Sequence, residues 1–326
     1  MSEPIRSDPP QVLAVALNPA LDHTIEVECL RVGEVNRASR MRAQVGGKGF
    51  NVASCLADFG IPTAVTGLLG SDNAEPFEAL FRAKGITDRC LRLDGSTRVN
   101  TKLVDHATGQ TTDLNLPGPA LGAQVRQALM DALLERIDSV MGSVRWVVLA
   151  GSLPPDWPDD TYFRLAQHVR RAGGRVVLDA SGPALAEGLK AAPDLIKPNR
   201  AELAELVGRG LGSLDDIVAA ARALMAGAAG PGAVVVSMGG EGALFLDREQ
   251  ALLAHPSRVD LLSTVGAGDA MVAGLVAARV EGLPLAEGAR LATAFAAAKL
   301  ARLGPHLPAP DVVRSLAGTV RITPLP

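Results

Sequence analysis

The sequence predicts an α/β fold in which helices cover both faces of a mostly parallel sheet. Two observations support this prediction. Short apolar runs rich in β-branched residues alternate with longer segments of helical period, and the runs are apolar throughout rather than at every second position. Runs of that kind are typical of strands buried on both faces. The chain has 326 residues, of which 48% are hydrophobic, and is therefore long enough to bury a large core.

The predicted elements alternate along the chain. The strand candidates are residues 12–17, 64–69, 146–150, 175–179 and 233–237. The helix candidates are residues 51–59, 74–84, 124–141, 160–172, 201–207 and 214–226. Because crossovers between parallel strands are right-handed, this order predicts a doubly wound sheet with its ligand-binding loops at the carboxyl ends of the strands.

Two stretches interrupt this alternation. Residues 24–45 carry scattered polar and charged side chains without a helical stripe, and residues 97–116 are rich in Thr and Val around a turn-like centre. The second stretch is typical of a β-hairpin. Together they predict a small antiparallel sheet beside the main one, with an ordinary surface hairpin as the alternative. We expect the proline-rich ends, residues 1–10 and 305–326, to be partly loose.

Charge and cysteine content exclude several classes of protein. The chain has 32 Lys and Arg against 35 Asp and Glu, a net charge of −3, which argues against a dedicated nucleic-acid binder. Cys29, Cys55 and Cys90 show neither metal-site spacing nor a disulfide framework, which suits a reducing compartment. Signal-peptide and membrane-span patterns are absent from the sequence. We therefore expect a cytoplasmic protein that binds neither nucleic acid nor membrane.

The strongest local motif is residues 263–269 (STVGAGD), which runs into the apolar segment 270–280. A turn formed by Gly266, Ala267 and Gly268 at the start of a helix presents backbone N–H groups to an anion such as a transferring phosphoryl group. Asp269, beside that anion hole, is placed to accept a proton from an attacking hydroxyl. A capping aspartate is the alternative. The dinucleotide motif fails because Met271 stands where its third glycine belongs.

A second glycine-rich turn, residues 46–51 (GGKGFN), precedes a predicted helix. Its backbone can approach a ligand closely, and Lys48 offers a compact charge for a phosphate. The alternative is a flexible loop with an exposed lysine. A Walker P-loop is excluded because Gly49 stands where Ser or Thr would bind magnesium. Asp22 follows the first strand, where it could hold sugar hydroxyls or make a turn.

Three further polar turns follow predicted strands. Ser152 could donate to a ligand or cap the next element. Asn199 and Glu202, three residues apart at a helix start, could orient hydrated magnesium or form an N-terminal capping box. Residues 237–242 (SMGGEG) suit nucleotide contact or a plain hairpin.

In their order, these motifs resemble the ribokinase-like (PfkB) sugar kinases, over residues 12–304. The resemblance is carried by residues 18–22 (NPALD), 33–37 (GEVNR), 46–49 (GGKG), 97–100 (TRVN) and 263–269. They are most similar to the branch that phosphorylates fructose 1-phosphate. Fructose-1-phosphate and tagatose-6-phosphate kinases carry a lysine at the place of Lys48, whereas bacterial 6-phosphofructokinase relatives tend to carry glycine.

The resemblance implies a three-layer α/β/α fold in a single kinase domain spanning residues 1–326. Residues 24–45 and 97–116 would form an antiparallel β lid, which in relatives also clasps a second subunit, so a homodimer is expected. The implied activity transfers the γ-phosphoryl group of ATP to the 6-hydroxyl of fructose 1-phosphate. Tagatose 6-phosphate and fructose 6-phosphate are the alternative acceptors, and a catalytically silent sugar-phosphate sensor is the alternative outside the enzymes.

The resemblance also implies a role for each matching residue. Asp269 would be the general base beside the anion hole. The residues that would bind the phosphosugar are Asp22, Arg37, Gly46, Gly47, Lys48, Asn51, Arg98 and Ser152. The residues that would line the ATP site are Lys197, Asn199, Ser237, Gly239, Gly240 and Gly242, with Asn199 and Glu202 holding Mg²⁺ through water. Relatives often carry serine where this chain has Ala270, so we expect weaker fine-tuning near the phosphates without loss of activity.

Overall fold

The computed structural model describes residues 8–256, 259, 262, 265–302 and 304–326. The strands are β1 (Val12–Ala16), β2 (Ala20–Val27), β3 (Arg40–Gly46), β4 (Thr63–Gly70), β5 (Thr87–Asp88), β6 (Leu91–Leu93), β7 (Val99–Asp105), β8 (Gln110–Leu114), β9 (Trp146–Ala150), β10 (Arg175–Asp179), β11 (Leu195–Ile196), β12 (Val234–Ser237), β13 (Ala243–Leu246), β14 (Ala251–His255) and β15 (Arg321–Leu325). The helices are α1 (Lys48–Asp58), α2 (Glu75–Lys84), α3 (Ala123–Asp138), α4 (Thr161–Arg171), α5 (Gly182–Leu189), α6 (Arg200–Val207), α7 (Leu214–Ala226), α8 (Ala267–Val280), α9 (Leu285–Leu300) and α10 (Pro310–Thr319).

Within the described residues, eleven strands form the large sheet, in the order β15–β14–β13–β12–β11–β10–β9–β1–β4–β5, with β6 also paired to β4. The pairings from β12 through β5 are parallel, whereas β12 to β15 pair antiparallel. The carboxyl ends of the parallel strands therefore meet at one edge, where the loops that follow them gather.

Two hydrophobic cores fill the space between this sheet and the helices. Along β1, Val12 and Ala14 face one core, whereas Leu13 and Val15 face the other. The first core is shared with α1, α2, α8, α9 and α10, and the second with α3 to α7. Because side chains alternate between the faces of a strand and both faces are covered, the strand is apolar at every position. The predicted three-layer arrangement is confirmed.

The small sheet has the order β3–β2–β7–β8. Its outer pairings, β2 with β3 and β7 with β8, are antiparallel as predicted, and its central pairing of β2 with β7 is parallel. Both central strands leave the same edge of the large sheet in the same direction, which is the reason they pair in parallel. The first contact between them is the hydrogen bond from the Leu21 N–H to the Arg98 carbonyl, 2.9 Å long.

The chain ends differ from the expectation. Residues 1–7 lie outside the described residues, and residues 8–10 precede β1. The expectation that residues 305–326 are partly loose is wrong, because they contain α10 and β15, and β15 pairs with β14 along its whole length. In the described part of the chain, none of the helices combines the length and the apolarity that crossing a bilayer requires.

Candidate active site

The start of α8 is built to hold an anion. Gly266 caps the helix with φ of 79°, a left-handed conformation that favours glycine, and Ala267 is the first helical residue. The first amides of a helix lack an intrahelical partner and lie at the positive end of its dipole. A Cβ on Gly268 would lie 3.6 Å from the Lys197 ammonium, so a cation stands close to this turn. Ser263 and Thr264, the first two residues of the predicted motif, lie outside the described residues.

Asp269 is the third residue of α8 and is only 8% exposed. Its Oδ2 accepts a hydrogen bond from Asn51 Nδ2 at 2.7 Å, and it makes no capping bond to its own helix. Asp269 is therefore not a capping residue of α8. Burial, reinforced by the charge of Asp179, raises the pKa of Asp269, although Asn51, Lys48 and Lys197 oppose this shift. The carboxylate is consequently more basic than an ordinary aspartate.

Lys48 opens α1 directly behind a strained glycine. Gly47 caps that helix with φ of 106°, and a Cβ there would lie 2.9 Å from the Cα of Pro19. The Lys48 ammonium lies 3.4 Å from Asp179 Oδ1. Burial lowers the pKa of Lys48, but Asp179, Asp269 and Glu202 outweigh burial, so the net shift is upward. Lys48 is therefore a fixed cation at the strand ends rather than a mobile lysine on a loop.

Asp179 was missed by the sequence analysis. It ends β10, is 1% exposed, and its Oδ1 lies within 3.5 Å of both Lys48 Nζ and Lys197 Nζ. Its Oδ2 is buried without a hydrogen-bond partner. Lys197, 5% exposed, follows β11 on the neighbouring strand. The carboxylate thus fixes two cations beside the start of α8, and the signal in the sequence is an aspartate that ends an apolar run.

Asp22 lies inside β2 rather than in a turn. Its Oδ1 accepts from Asn100 Nδ2 at 2.9 Å, and a Cβ on Gly46 would lie 2.1 Å from its Oδ2. Burial raises the pKa of Asp22, although Asn100 and the nearby cations lower it. A small cavity is lined by Asp22 together with Asn51 and Gly266, so the carboxylate of the small sheet faces the same space as the start of α8. Asn100 was also missed as a site residue, although it lies in a motif that the sequence analysis used.

Arg98 and Ser152 meet around Asn18. Asn18 Nδ2 donates to Ser152 Oγ at 3.2 Å, while Arg98 donates to the carbonyls of Asn18, Pro19 and Leu116 at 3.0, 3.2 and 2.5 Å. A guanidinium has five N–H donors, so these bonds leave part of its donor capacity for a ligand. Ser152 does not cap the next helix, because Asp160 is the N-cap of α4.

Asn199 and Glu202 form a capping box at the start of α6. Asn199 Oδ1 accepts from the Glu202 N–H at 2.9 Å, and Glu202 Oε2 accepts from the Asn199 N–H at 2.8 Å. Asn199 also forms a parallel bridge with Ser237, which ends β12. The turn from Gly239 to Gly242 joins β12 to the antiparallel β13. Its backbone therefore forms a hairpin, which was the alternative to a nucleotide-binding turn.

Arg37 is not brought to the other predicted residues. It lies in the exposed segment between β2 and β3, and no hydrogen bond or ion pair among the described residues joins it to the site. Gly46, Gly47, Lys48, Asn51, Lys197 and residues 266–269 do converge, with Asp22, Arg98 and Ser152 around them. Fold and site together define an α/β protein with a buried carboxylate and fixed cations around an anion-binding helix start.

The comparisons with known proteins agree with that description. Residues 15–312 match the pfkB family carbohydrate kinases, and the chain belongs to this family. It is 48% identical over 316 residues to a 1-phosphofructokinase from Rhodobacter capsulatus, covering 97% of this chain and 98% of that protein. A 1-phosphofructokinase from Xanthomonas campestris is 46% identical over 321 residues, covering 97% and 99% of the two chains. The chain is accordingly an enzyme of the carbohydrate-kinase type.

Solved structures give the same result for the fold. Phosphofructokinase-2 from Escherichia coli, in complex with potassium, superposes with a TM-score of 0.86 at 28% identity, covering 94% of this chain and 98% of that one. The same E. coli protein has been solved with fructose 6-phosphate, with a TM-score of 0.85 at 27% identity and the same coverage. Its tetrameric inhibited form gives a TM-score of 0.83 at 28% identity, again with that coverage. The predicted ribokinase-like fold is confirmed.

Proposed function

We propose that this chain transfers the γ-phosphoryl group of ATP to the 6-hydroxyl of fructose 1-phosphate, giving fructose 1,6-bisphosphate and ADP. The observation that carries the proposal is the buried Asp269 carboxylate beside the amides that open α8, with Lys48 and Lys197 fixed close by. The relatives from R. capsulatus and X. campestris, named 1-phosphofructokinases, support the choice of acceptor. The proposal treats residues 1–326 as one kinase domain with the small sheet as its lid.

Asp269 is the proposed general base. Asn51 fixes its Oδ2, and burial raises the pKa of the carboxyl, which brings its proton affinity closer to that needed to draw a proton from an alcohol. The proton of the 6-hydroxyl passes to Asp269 as the oxygen attacks the phosphorus in line, and the bond to ADP breaks.

The amides of residues 267–269 are the proposed donors to the transferring phosphoryl group. They are oriented before the substrate arrives, so charge that develops on the phosphoryl oxygens meets dipoles that need no reorganisation. Lys197 would neutralise the ATP phosphates on the same side, since its ammonium lies 3.6 Å from the position that a Cβ on Gly268 would take. Ser237, Gly239, Gly240 and Gly242 are proposed to line the rest of the nucleotide site.

Asp22 is proposed to accept hydrogen bonds from the sugar hydroxyls, with Gly46, Gly47 and Asn51 shaping that part of the pocket. Lys48, Arg98 and Ser152 would hold the phosphate already on the sugar. Arg37 joins them only if the small sheet closes over the site. Binding energy from this remote phosphate orients the 6-hydroxyl, and closure expels water that would otherwise hydrolyse ATP.

Mg²⁺ fits the donors at this edge. The buried, unpartnered Oδ2 of Asp179 is an anionic oxygen without a hydrogen bond, and the capping box engages only one oxygen of Glu202. Among the described residues there is no cluster of three or more His, Cys, Asp or Glu able to enclose a metal, which suits an ion that keeps most of its water. Asn199 and Glu202 would hold it through water, and it would neutralise charge on the ATP phosphates.

A homodimer through the small sheet is proposed for the assembly. Large apolar side chains on this sheet and its loops are exposed: Val32, Val35, Met41, Leu114 and Leu116. Such a patch is typical of an interaction surface. The tetrameric form of the E. coli relative shows that assembly can go further in this family.

The deciding experiment is an ADP-release assay with a panel of phosphosugars. The expected result is the highest kcat/KM with fructose 1-phosphate. A higher kcat/KM with fructose 6-phosphate, the sugar bound to the E. coli relative, or with tagatose 6-phosphate would reassign the acceptor. Absence of turnover with every acceptor would instead favour the sugar-phosphate sensor.

A further inference from the structure

Lys299 is a buried lysine to which the proposed mechanism has assigned no role. It lies in the last turn of α9, the residue is 3% exposed, and its ammonium donates to the Arg302 carbonyl at 3.2 Å. Burying an ammonium group costs free energy unless nearby polar groups offset it. Burial lowers the pKa of Lys299, and the nearby Cys55 and Asp269 oppose that shift. The burial of this positive charge therefore calls for a structural or functional explanation.

Its place in the fold suggests one. A Cβ on Gly266 would lie 3.3 Å from Lys299 Cε, 3.8 Å from Asn51 Nδ2 and 3.9 Å from Asp269 Oδ2. The lysine stem therefore packs against the one glycine whose left-handed backbone starts the anion hole. Lys299 also lines the small cavity that Asp22, Asn51 and Gly266 share.

The end of α9 is joined to the chain that enters the anion hole. The Leu262 N–H donates to the Leu300 carbonyl at 2.8 Å, one residue beyond Lys299. A cation is also favourable at the carbonyl end of a helix, where the dipole is negative. The end of α9 thus holds Leu262 and places a positive charge behind Gly266.

We propose that Lys299 is a positioning residue for phosphoryl transfer. Its ammonium, held by the Arg302 carbonyl, supports the turn at Gly266 and adds positive charge behind the amides of residues 267–269. Lys299 acts through the backbone of that turn. The inference rests on the proposed kinase function and assigns to that reaction a residue outside every motif in the sequence.

Lys299→Met removes the charge and keeps an unbranched stem against Gly266. Because misplaced catalytic groups cost about 10²-fold in rate, we expect kcat to fall by about that factor. The KM values for ATP and for the phosphosugar should change by less than about threefold, since the ground-state contacts remain. Unchanged kcat in the folded variant contradicts the proposal. A fall in thermal stability with kcat intact shows a structural role only and also contradicts it.

Chemical rescue tests whether the N–H donors of the Lys299 ammonium are needed. For Lys299→Ala, methylammonium should restore kcat in a saturable way, because it supplies an N–H donor and a positive charge of similar size. Tetramethylammonium, which has the charge without the donors, should not. Equal effects of the two cations contradict a role that depends on the bond to Arg302.

Lys84 offers a matched control. Its side chain is 10% exposed and its ammonium donates to the Pro305 carbonyl, so it holds the same chain segment from the side of α2. Methylammonium should leave the kcat of Lys84→Ala unchanged, and an increase there would show a general salt effect and overturn the rescue argument. Absence of wild-type turnover with every acceptor contradicts the proposed function and, with it, this inference. An active wild type with unchanged kcat in Lys299→Met contradicts the inference alone.

Discussion

At the scale of single residues, Asp269 carries the proposed chemistry. Asp269→Asn should lower kcat by a factor on the order of 10²–10⁴, the usual contribution of a positioned general base, with little change in ATP binding. Steady-state kinetics and equilibrium binding of ATP measure the two quantities. Asp215→Asn is the matched control, because Asp215 is an exposed aspartate in the first turn of α7. Near-normal kcat in Asp269→Asn would remove this residue from its role.

The raised pKa of Asp269 has consequences for pH dependence. A base must be deprotonated, so kcat should fall on acidification at a higher pH than an ordinary aspartate with a pKa of 3.8 would give. The free energy of unfolding depends on pH in the opposite direction from kcat. The folded state binds this proton more tightly than the unfolded state, so this group's contribution to the free energy of unfolding decreases as pH rises through the interval between the unfolded and folded pKa values.

Thermal unfolding of wild type and Asp269→Asn across pH tests the stability part. The asparagine variant should be more stable than wild type above that interval, and the difference should shrink at lower pH. A difference that stays constant with pH would show that Asp269 does not titrate as described.

Lys48 is the residue that tests the acceptor phosphate. Lys48→Ala should raise KM for the phosphosugar, because the fixed cation that would meet its phosphate is lost. The effect of Arg98→Ala would be harder to interpret, because Arg98 also donates hydrogen bonds to three backbone carbonyls. Lys190→Ala, at an exposed lysine, serves as the control. A weaker affinity for ATP with an unchanged phosphosugar KM would show that Lys48 serves the nucleotide instead.

At the scale of elements, the start of α6 separates two roles. Asn199→Ala should lower the free energy of unfolding by about 1 kcal/mol through loss of the cap. Glu202→Gln keeps a side chain that can complete the box but loses the charge, so stability should hold while the Mg²⁺ concentration for half-maximal activity rises. Chemical denaturation and Mg²⁺ titration measure these effects. Equal Mg²⁺ dependence in Glu202→Gln and wild type would leave Glu202 with its capping role alone.

Elements were predictable where one physical signal dominated. β9 and β10 match the predicted residues 146–150 and 175–179 because buried parallel strands are apolar at every position. The strands β13, β14 and β15, which pair antiparallel at one end of the large sheet, were missed. β14 and β15 mix apolar with polar residues, and β15 also contains proline. α9 was also missed, because its long alanine-rich run carries no polar stripe that would mark a helix face.

The site shows the same division. The glycine turns were predictable because a positive φ favours glycine, so the local sequence marks these positions, as at Gly47 and Gly266. Asp179 and Lys299 were missed because burial and ion pairing across distant segments leave no local pattern. Lys48 and Asp179, for example, are 131 residues apart in the chain.

At the scale of the whole molecule, the small sheet should control assembly. Val35→Asp places a charge in the exposed apolar patch, where a partner would have to bury it, so the proposed dimer should dissociate. Light scattering coupled to gel filtration measures the mass. Val312→Asp, at a half-exposed valine on α10, is the control and should leave the mass unchanged. A wild-type monomer, or a Val35→Asp variant that keeps the wild-type mass, contradicts the proposed interface.

The position of β15 has a consequence for how the protein is made. β14 lies between β13 and β15, so its outer edge stays unpaired until residues 321–325 have left the ribosome. An open strand edge invites pairing with another chain. Until β15 is in place, folding molecules therefore expose this edge of β14 to other chains, which favours aggregation.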